Sequence, residues 1–404
     1  MSKHRNSGLL LIGLAYLGFV SLGLPDGLNG VAWPSIRATF GLPIDGLGAL
    51  LLMFTAGYLV SSFASGRVLS TMGIGTLLSL SCLATGLSLI GYSLAPVWSL
   101  IVALAVIAGL GAGAIDAGLN TFAATQFSPR MVNWLHACYG VGAAGGPAIM
   151  TSVLAANHPW QQGYAVVGVW QLALAGCFIL TRRKWPSISE DEPKSTSARA
   201  SNIATLKLPA VWLSIATFFF YTGLEASSSV WTFSLFTESR GASMVTAGLW
   251  VSVFWCALSV GRVLSGLVAN VISWQRLIST CIVGIALGAA LIWINITMSL
   301  SFVGLGLMGL ACAPVFPTLI AATPSQLGPG HTANGVGFQI AAAVLGQSLI
   351  PAGIGVMARR FGLEIIGPMF LLNTGVLVGL YVSLLIVGSK NARRLEYGVT
   401  VEAN

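Results

Sequence analysis

The chain has 404 residues, of which 55% are hydrophobic and only 7% charged, against roughly a quarter charged in a soluble domain. So apolar a composition cannot be covered by a water-facing surface, and it places the chain in a bilayer. The net charge of +8 does not point to nucleic acid, because the basic residues sit in short loops and tails without a basic face or interleaved aromatics. They carry topology instead.

Taken in order, apolar stretches reach the roughly 20 residues a crossing helix needs at about 8–32, 44–65, 74–95, 99–123, 133–156, 163–181, 209–235, 244–268, 275–296, 299–322, 333–357 and 363–387. The opening Lys3–Arg5 and the apolar run from Gly8 have the look of a signal peptide. The run is too long for one, contains Asp26 and lacks a small-residue cleavage site, so it is expected to stay as the first span. With the N-terminus inside, 15 of the 19 Lys and Arg residues fall on the cytoplasmic side and only Arg37, Arg240, Arg359 and Arg360 outside. That bias predicts a multi-pass protein of the cell (inner or plasma) membrane with both termini cytoplasmic.

One long polar segment, Thr181–Lys207, carries Arg182-Arg183-Lys184, Glu190-Asp191-Glu192 and a Ser/Thr-rich run. It divides the chain into an N-terminal six-helix bundle (1–181), a cytoplasmic linker (182–207) and a C-terminal six-helix bundle with a short cytoplasmic tail (208–404). An internal repeat supports the division: Gly66-Arg67-Val68-Leu69-Ser70 recurs as Gly261-Arg262-Val263-Leu264-Ser265 at the corresponding span of the second half. The six cysteines lie in apolar stretches with no C-x-x-C pair and no histidine at ligand spacing. They read as packing residues rather than disulfides or metal ligands.

Three acids fall within spans: Asp26, Asp116 and Glu225. A carboxyl at such depth is costly, by at least ~2.5–3.5 kcal/mol on insertion scales, and faces a cavity or a polar partner. No Lys or Arg is expected deep enough to neutralise them. A carboxyl shielded from water and without a cationic partner exchanges its proton near neutrality, as proton coupling requires. Counted along the helices, Asp26 falls toward the outer side, Glu225 near the middle and Asp116 in the inner half, a stagger that suits a proton path. Sodium, held by a carboxylate and freed carbonyls, is the rival coupling ion.

Asp116 and Asn120, spaced i, i+4, share one face of the fourth span. Asp26 and Asn29 sit in the Gly/Pro-broken run Gly23–Gly30, which reads either as a flexible outer gate or as a helix end merging into the loop at Trp33-Pro34. Tyr221, Glu225, Ser228 or Ser229, and Thr232 form a polar stripe on the seventh span, with Trp231 near its outer end as an interface anchor or a stacking platform for a sugar. His136 and Tyr139 could meet Asp116 from the neighbouring helix, His136 as a proton relay or simply as a structural hydrogen bonder. Asn334, Gln339 and Gln347 supply amides suited to hydroxyls, beside Phe338 and Phe316. Asn295-Ile296-Thr297 matches a glycosylation sequon but stands too close to a span to weigh.

The architecture resembles the major facilitator superfamily. Gly66–Gly73 is similar to that superfamily's loop signature G-x-x-x-D-R-x-G-R-R, with Ser70-Thr71 in place of Asp-Arg and Ile74-Gly75 in place of Arg-Arg. Within it, the resemblance is to the fucose:proton symporter-like branch of sugar transporters. It rests on Ile115–Asn120, on Leu135–Gly142 with Gly146-Pro147, on Phe220–Glu225 with Trp231, on Ala313–Thr318, and on Asn334 to Gln339. Gly140–Pro147 also resembles the fifth-span signature of drug antiporters.

The resemblance implies an all-α integral membrane protein of 12 transmembrane helices in two pseudo-symmetric six-helix bundles. It further implies alternating access around a midplane site. Arg67 and Arg262 are then expected as cytoplasmic gating latches. The expected function is proton-coupled uptake of a neutral hydroxylated solute, such as a monosaccharide. Asp116 takes the proton, Glu225 and Asp26 assist, and Asn120, Asn29, Tyr139, His136, Tyr221, Trp231, Phe316, Asn334, Phe338 and Gln339 are the candidate contacts. The competing readings are a proton/drug antiporter for cationic amphiphiles and a non-transporting receptor. No Walker loop and no H-E-x-x-H are present, so no enzyme activity, cofactor or metal is expected. The expected partners are a small-molecule substrate, protons and the lipid bilayer, with the chain acting as a monomer.

Overall fold

The computed structural model describes residues 2–186, 200–268 and 271–402. The acidic run Glu190–Glu192 and the Ser/Thr-rich run of the linker lie outside the described residues. The first bundle is built from α1 (Ser2–Phe40), α2 (Leu47–Met72), α3 (Ile74–Leu94), α4 (Trp98–Gln126), α5 (Pro129–Ala155) and α6 (Gln161–Thr181). A short linker helix, α7 (Asn202–Leu206), precedes the second, made of α8 (Pro209–Ser234), α9 (Met244–Val268), α10 (Trp274–Ile294), α11 (Met298–Cys312), α12 (Val315–Leu327), α13 (Pro329–Phe361) and α14 (Ile366–Glu402).

Eleven helical stretches are long and apolar enough to cross a membrane among the described residues. The remaining membrane-length helix is α8, at 26 residues. Its polar stripe dilutes its hydropathy, and the stripe is buried in protein rather than turned to lipid: Tyr221, Ser227, Ser228, Thr232 and Ser234 are wholly enclosed. The tenth span, Met298–Leu327, consists of α11 and α12, broken at Ala313-Pro314 because proline removes a helix hydrogen bond.

The first span is longer than its composition predicted. α1 runs unbroken through Pro25 and Pro34 to Phe40. Trp33 is fully buried and its indole N–H donates to the Ile44 carbonyl at 3.0 Å, so packing and this tie hold the segment helical where sequence suggested a loop. As a result Asp26 lies near the middle of Leu9–Phe40, not toward its outer end as expected. The sequon residues form a turn: Asn295 closes α10 in a left-handed conformation (φ 47°) and Thr297 caps α11.

The two bundles repeat one pattern of partners. In the first, α1 packs on α5, α2 on α4, and α3 on α4 and α6; in the second, α8 packs on α13, α9 on α11, and α10 on α11 and α14. These are corresponding spans throughout. Between bundles, α5 meets α9, α2 meets α13, and α1 meets α8. Small residues allow the approach. An added Cβ would stand 1.9 Å from the Phe54 carbonyl oxygen at Gly109, and 2.1 Å from that of Val106 at Gly57, so α2 and α4 touch backbone to backbone.

Gly109→Ala tests this packing with the sign set against helix propensity. Alanine favours the helix by about 1 kcal/mol, whereas overpacking costs typically ~1–3 kcal/mol. The expected result is a lower melting temperature of the detergent-solubilised protein by tryptophan fluorescence; an unchanged or higher one would mean that the α2–α4 contact is loose.

Candidate functional site

Asp116 and Asn120 meet as their spacing predicts: Asn120 Nδ2 donates to Asp116 Oδ1 at 2.9 Å. The second carboxylate oxygen accepts from the Tyr58 hydroxyl of α2 at 2.6 Å. Sequence reasoning passed over Tyr58. A signal for it existed: the small residues around it on α2 allow the close α4 contact that carries its hydroxyl to Asp116.

Asp26, one turn past Gly23, accepts from the Tyr139 hydroxyl of α5 at 2.6 Å. Here too, glycines set the distance, since an added Cβ at Gly23 would stand 2.2 Å from the Tyr139 carbonyl oxygen. Asp26 and Asp116 lie close enough to interact electrostatically, with Tyr58 close to both. The first bundle therefore gathers two carboxyls, two phenols and one amide.

The third acid has a different environment. Glu225 is hydrogen-bonded by Tyr221, one turn before it, and pairs with Arg262 Nη2 of α9 at 3.7 Å. This corrects the expectation that no basic residue reaches the acids. Arg262 was placed as a latch at the end of its span, but a long flexible stem lets its guanidinium extend inward. It interacts electrostatically with Glu225, Tyr221, Tyr139 and His136. Its counterpart in the repeat, Arg67, is exposed. The Tyr221 hydroxyl also lies 2.7 Å from the Cys312 carbonyl oxygen, which the α11–α12 break leaves without a helical partner.

The remaining candidates scatter. His136 meets the Phe19 ring edge-on at 5.2 Å, and its expected partner Asp116 is instead held by Tyr58 and Asn120. Trp231 is wholly buried, donating to the Pro351 carbonyl at 2.9 Å; its burial against α13 keeps it from the lipid interface. Gln339 is tied inside the second bundle by Ser214 (2.5 Å) and Thr323 (3.1 Å). Asn334 holds the linker, donating to the Ala200 carbonyl at 2.8 Å and to Thr205 at 3.2 Å. Phe338 packs beside Ala210, Val211 and Leu327, and Phe316 against the Phe218 ring. Asn29 accepts from Tyr164 at 2.8 Å, inside the first bundle. Among the described residues no three metal-ligating side chains cluster.

The molecule is closed on the face opposite its termini. Arg37 of α1 pairs with Glu238 beyond α8, and Arg359 of α13 pairs with Asp45 at 3.2 Å. Beneath these pairs, added Cβ atoms would stand 2.8 Å from the Ser229 carbonyl oxygen at Gly30 and 2.9 Å from the Ala352 Cβ at Gly48. Asp116, Asn120 and His136 on the termini side keep part of their surface accessible.

The chain belongs to the Major Facilitator Superfamily, whose family profile matches residues 15–351. It is 21% identical to the glucose/mannose transporter GlcP of Bacillus subtilis (strain 168), over 93% of this chain and 94% of that protein. Its fold is that of the nucleoside transporter NupG (TM-score 0.77, 11% identity, 94% of this chain and 99% of that one). A D-xylose-proton symporter shares it as well (TM-score 0.73, 13% identity, 91% and 97% of the two chains).

Both pairs on the closed face are partly exposed, and each is worth at most about 1 kcal/mol. Replacing Arg37 and Arg359 together by alanine is expected to raise hydrogen–deuterium exchange several-fold in 41–46 and 235–243, and high salt should do the same to the parent protein. Unchanged exchange would assign closure to the glycine contacts alone.

Proposed function

We propose that this chain is a secondary active transporter that couples inward proton movement to uptake of a neutral, hydroxylated solute such as a monosaccharide. The main support is the difference between its acids. Asp26 and Asp116 are held only by hydroxyl and amide donors, while Glu225 has the Arg262 guanidinium. A carboxyl with neutral donors tolerates both protonation states, whereas an ion-paired one strands a charge in low dielectric when it gains a proton. Asp116, with Asp26, is therefore the proton carrier, and Glu225–Arg262 an ordering pair in the second bundle.

The solute is neutral for a related reason. Among the described residues the cation that reaches the central acids is Arg262, and it is already matched by Glu225, which leaves no spare charge there for an anion. The kinship with a glucose/mannose transporter, and the shared fold with nucleoside and xylose carriers, favour a solute rich in hydroxyls. Asn120, which donates to Asp116, is placed to exchange that contact for a solute hydroxyl.

The bundles are taken as 1–181 and 208–404, joined by a linker at 182–207, in a cell membrane with both termini cytoplasmic. The structure then corresponds to the state open inward. Opening outward would break the Arg37–Glu238 and Asp45–Arg359 pairs while the bundles rock about the α5–α9 contact.

Transport by the purified chain in proteoliposomes tests the proposal. An imposed inward proton gradient should drive uphill uptake of a sugar that a protonophore abolishes. Asp116→Asn should lose accumulation at least about tenfold and keep sugar exchange. Undiminished accumulation in that variant would remove Asp116 from the coupling role. Proton release on adding a cationic amphiphile, with no sugar uptake, would identify a drug antiporter instead.

A further inference from the structure

The chain leaves α8 through a π-helical turn, Leu235–Ser239, that ends at Arg240. Two charged residues stand there with different tasks. Glu238 reaches across to Arg37 of the first bundle and forms one half of the outer closure. Arg240 points back into its own bundle, and its side chain is only 3% exposed.

Arg240 holds the turn in place. Its Nε and Nη2 grip the Glu364 carboxylate at 3.0 and 2.7 Å, and its Nη1 donates to Ser301 Oγ of α11 at 3.1 Å. Ser301 in turn donates to Asn295 Oδ1 at 2.8 Å, at the end of α10. The Ser239 hydroxyl gives Glu364 a further donor at 2.7 Å. A bidentate arginine–carboxylate pair fixes direction as well as distance. The turn is thereby tied to α11, to the end of α10 and to the segment between α13 and α14.

This anchoring acts on Glu238 in two ways. An exposed ion pair is weak partly because mobile groups must be ordered to make it; with the backbone of the turn already held, less ordering is left for Glu238. Partner choice is the second. Arg240 is the basic residue nearest to Glu238 in the chain, two positions away, and would compete with Arg37 for its carboxylate. All three guanidinium nitrogens of Arg240 are occupied by Glu364 and Ser301, so Glu238 is left to Arg37.

We propose that Arg240, held by Glu364, is a positioning residue for closure of the outer face: it fixes the turn that carries Glu238 and, being filled, leaves Glu238 to Arg37. The proposal rests on the transport function proposed above, in which this closure opens once per cycle. It adds that the strength of the closure is set by a pair lying wholly inside the second bundle.

Hydrogen–deuterium exchange of the purified full chain tests it, read at residues 38–46. These lie next to Arg37 on the first bundle, and neither Arg240 nor Glu364 has a hydrogen bond to them. Glu364→Gln keeps the size of the side chain and removes its charge, which frees Arg240 to capture Glu238. Exchange at 38–46 should rise about fivefold, the worth of one exposed ion pair. Arg240→Gln should do the same with the melting temperature retained; if that variant fails to fold, Glu364→Gln, at a position 53% exposed, carries the test alone. In an Arg37→Ala background, where the pair is already lost, Glu364→Gln should add nothing at 38–46. An increase confined to 235–243 and 363–365, or the same step at 38–46 in the Arg37→Ala background, would reduce Arg240 to a local structural tie and overturn the proposal. No solute takes part, so that result would leave the uptake function standing. Absence of proton-driven uptake by the parent protein would remove the function and leave the measured coupling of Glu364 to Arg37 intact.

Discussion

Within a bilayer every polar group has to find its partner inside the protein, since neither lipid nor bulk water will supply one. That requirement governs most of what is specific here. Where Pro25 interrupts the hydrogen bonding of α1 and frees the Ser21 carbonyl, Gln171 of α6 answers with its amide. The same rule treats the acids. Tyr139 serves Asp26, Tyr58 and Asn120 serve Asp116, and Tyr221 with Arg262 serves Glu225. Each partner except Tyr221 and Asn120 comes from a different helix, so satisfying a buried carboxyl also fixes how two helices pair.

Close helix approach makes those partnerships possible. Glycines at Gly23, Gly57 and Gly109 bring α1 onto α5 and α2 onto α4 at backbone distance, which is what lets a tyrosine hydroxyl reach a carboxylate on the next helix. The repeated partner pattern in the second bundle then places Glu225 and Arg262 across from Tyr139, with Tyr139 and Trp255 in ring contact at 6.3 Å. Closure of the face opposite the termini uses two further glycines, Gly30 and Gly48, with exposed ion pairs added outside them.

The fold was legible because hydropathy and the Gly-Arg-Val-Leu-Ser repeat are both one-dimensional signals. The Asp116–Asn120 contact was legible because it lies within one helix. What lay across helices was not. The reach of Arg262 to Glu225 depends on side-chain length and on the α8–α9 approach, and nothing in the order of residues records either. Trp231, Gln339 and Asn334 share a polar or aromatic character with cavity residues, yet tertiary packing turned them to Pro351, to Ser214 and Thr323, and to the linker. Gln171 had a signal: a lone amide in an apolar span, in a bundle where Pro25 leaves a carbonyl in need of a donor.

The division of labour among the acids is the central claim, and infrared difference spectroscopy between high and low pH reads it directly. The protonated-carboxyl stretch that appears on acidification should be lost in Asp116→Asn, diminished in Asp26→Asn and retained in Glu225→Gln. A band that survives in both aspartate variants and vanishes in Glu225→Gln would place the exchangeable proton on the ion-paired glutamate and contradict the account.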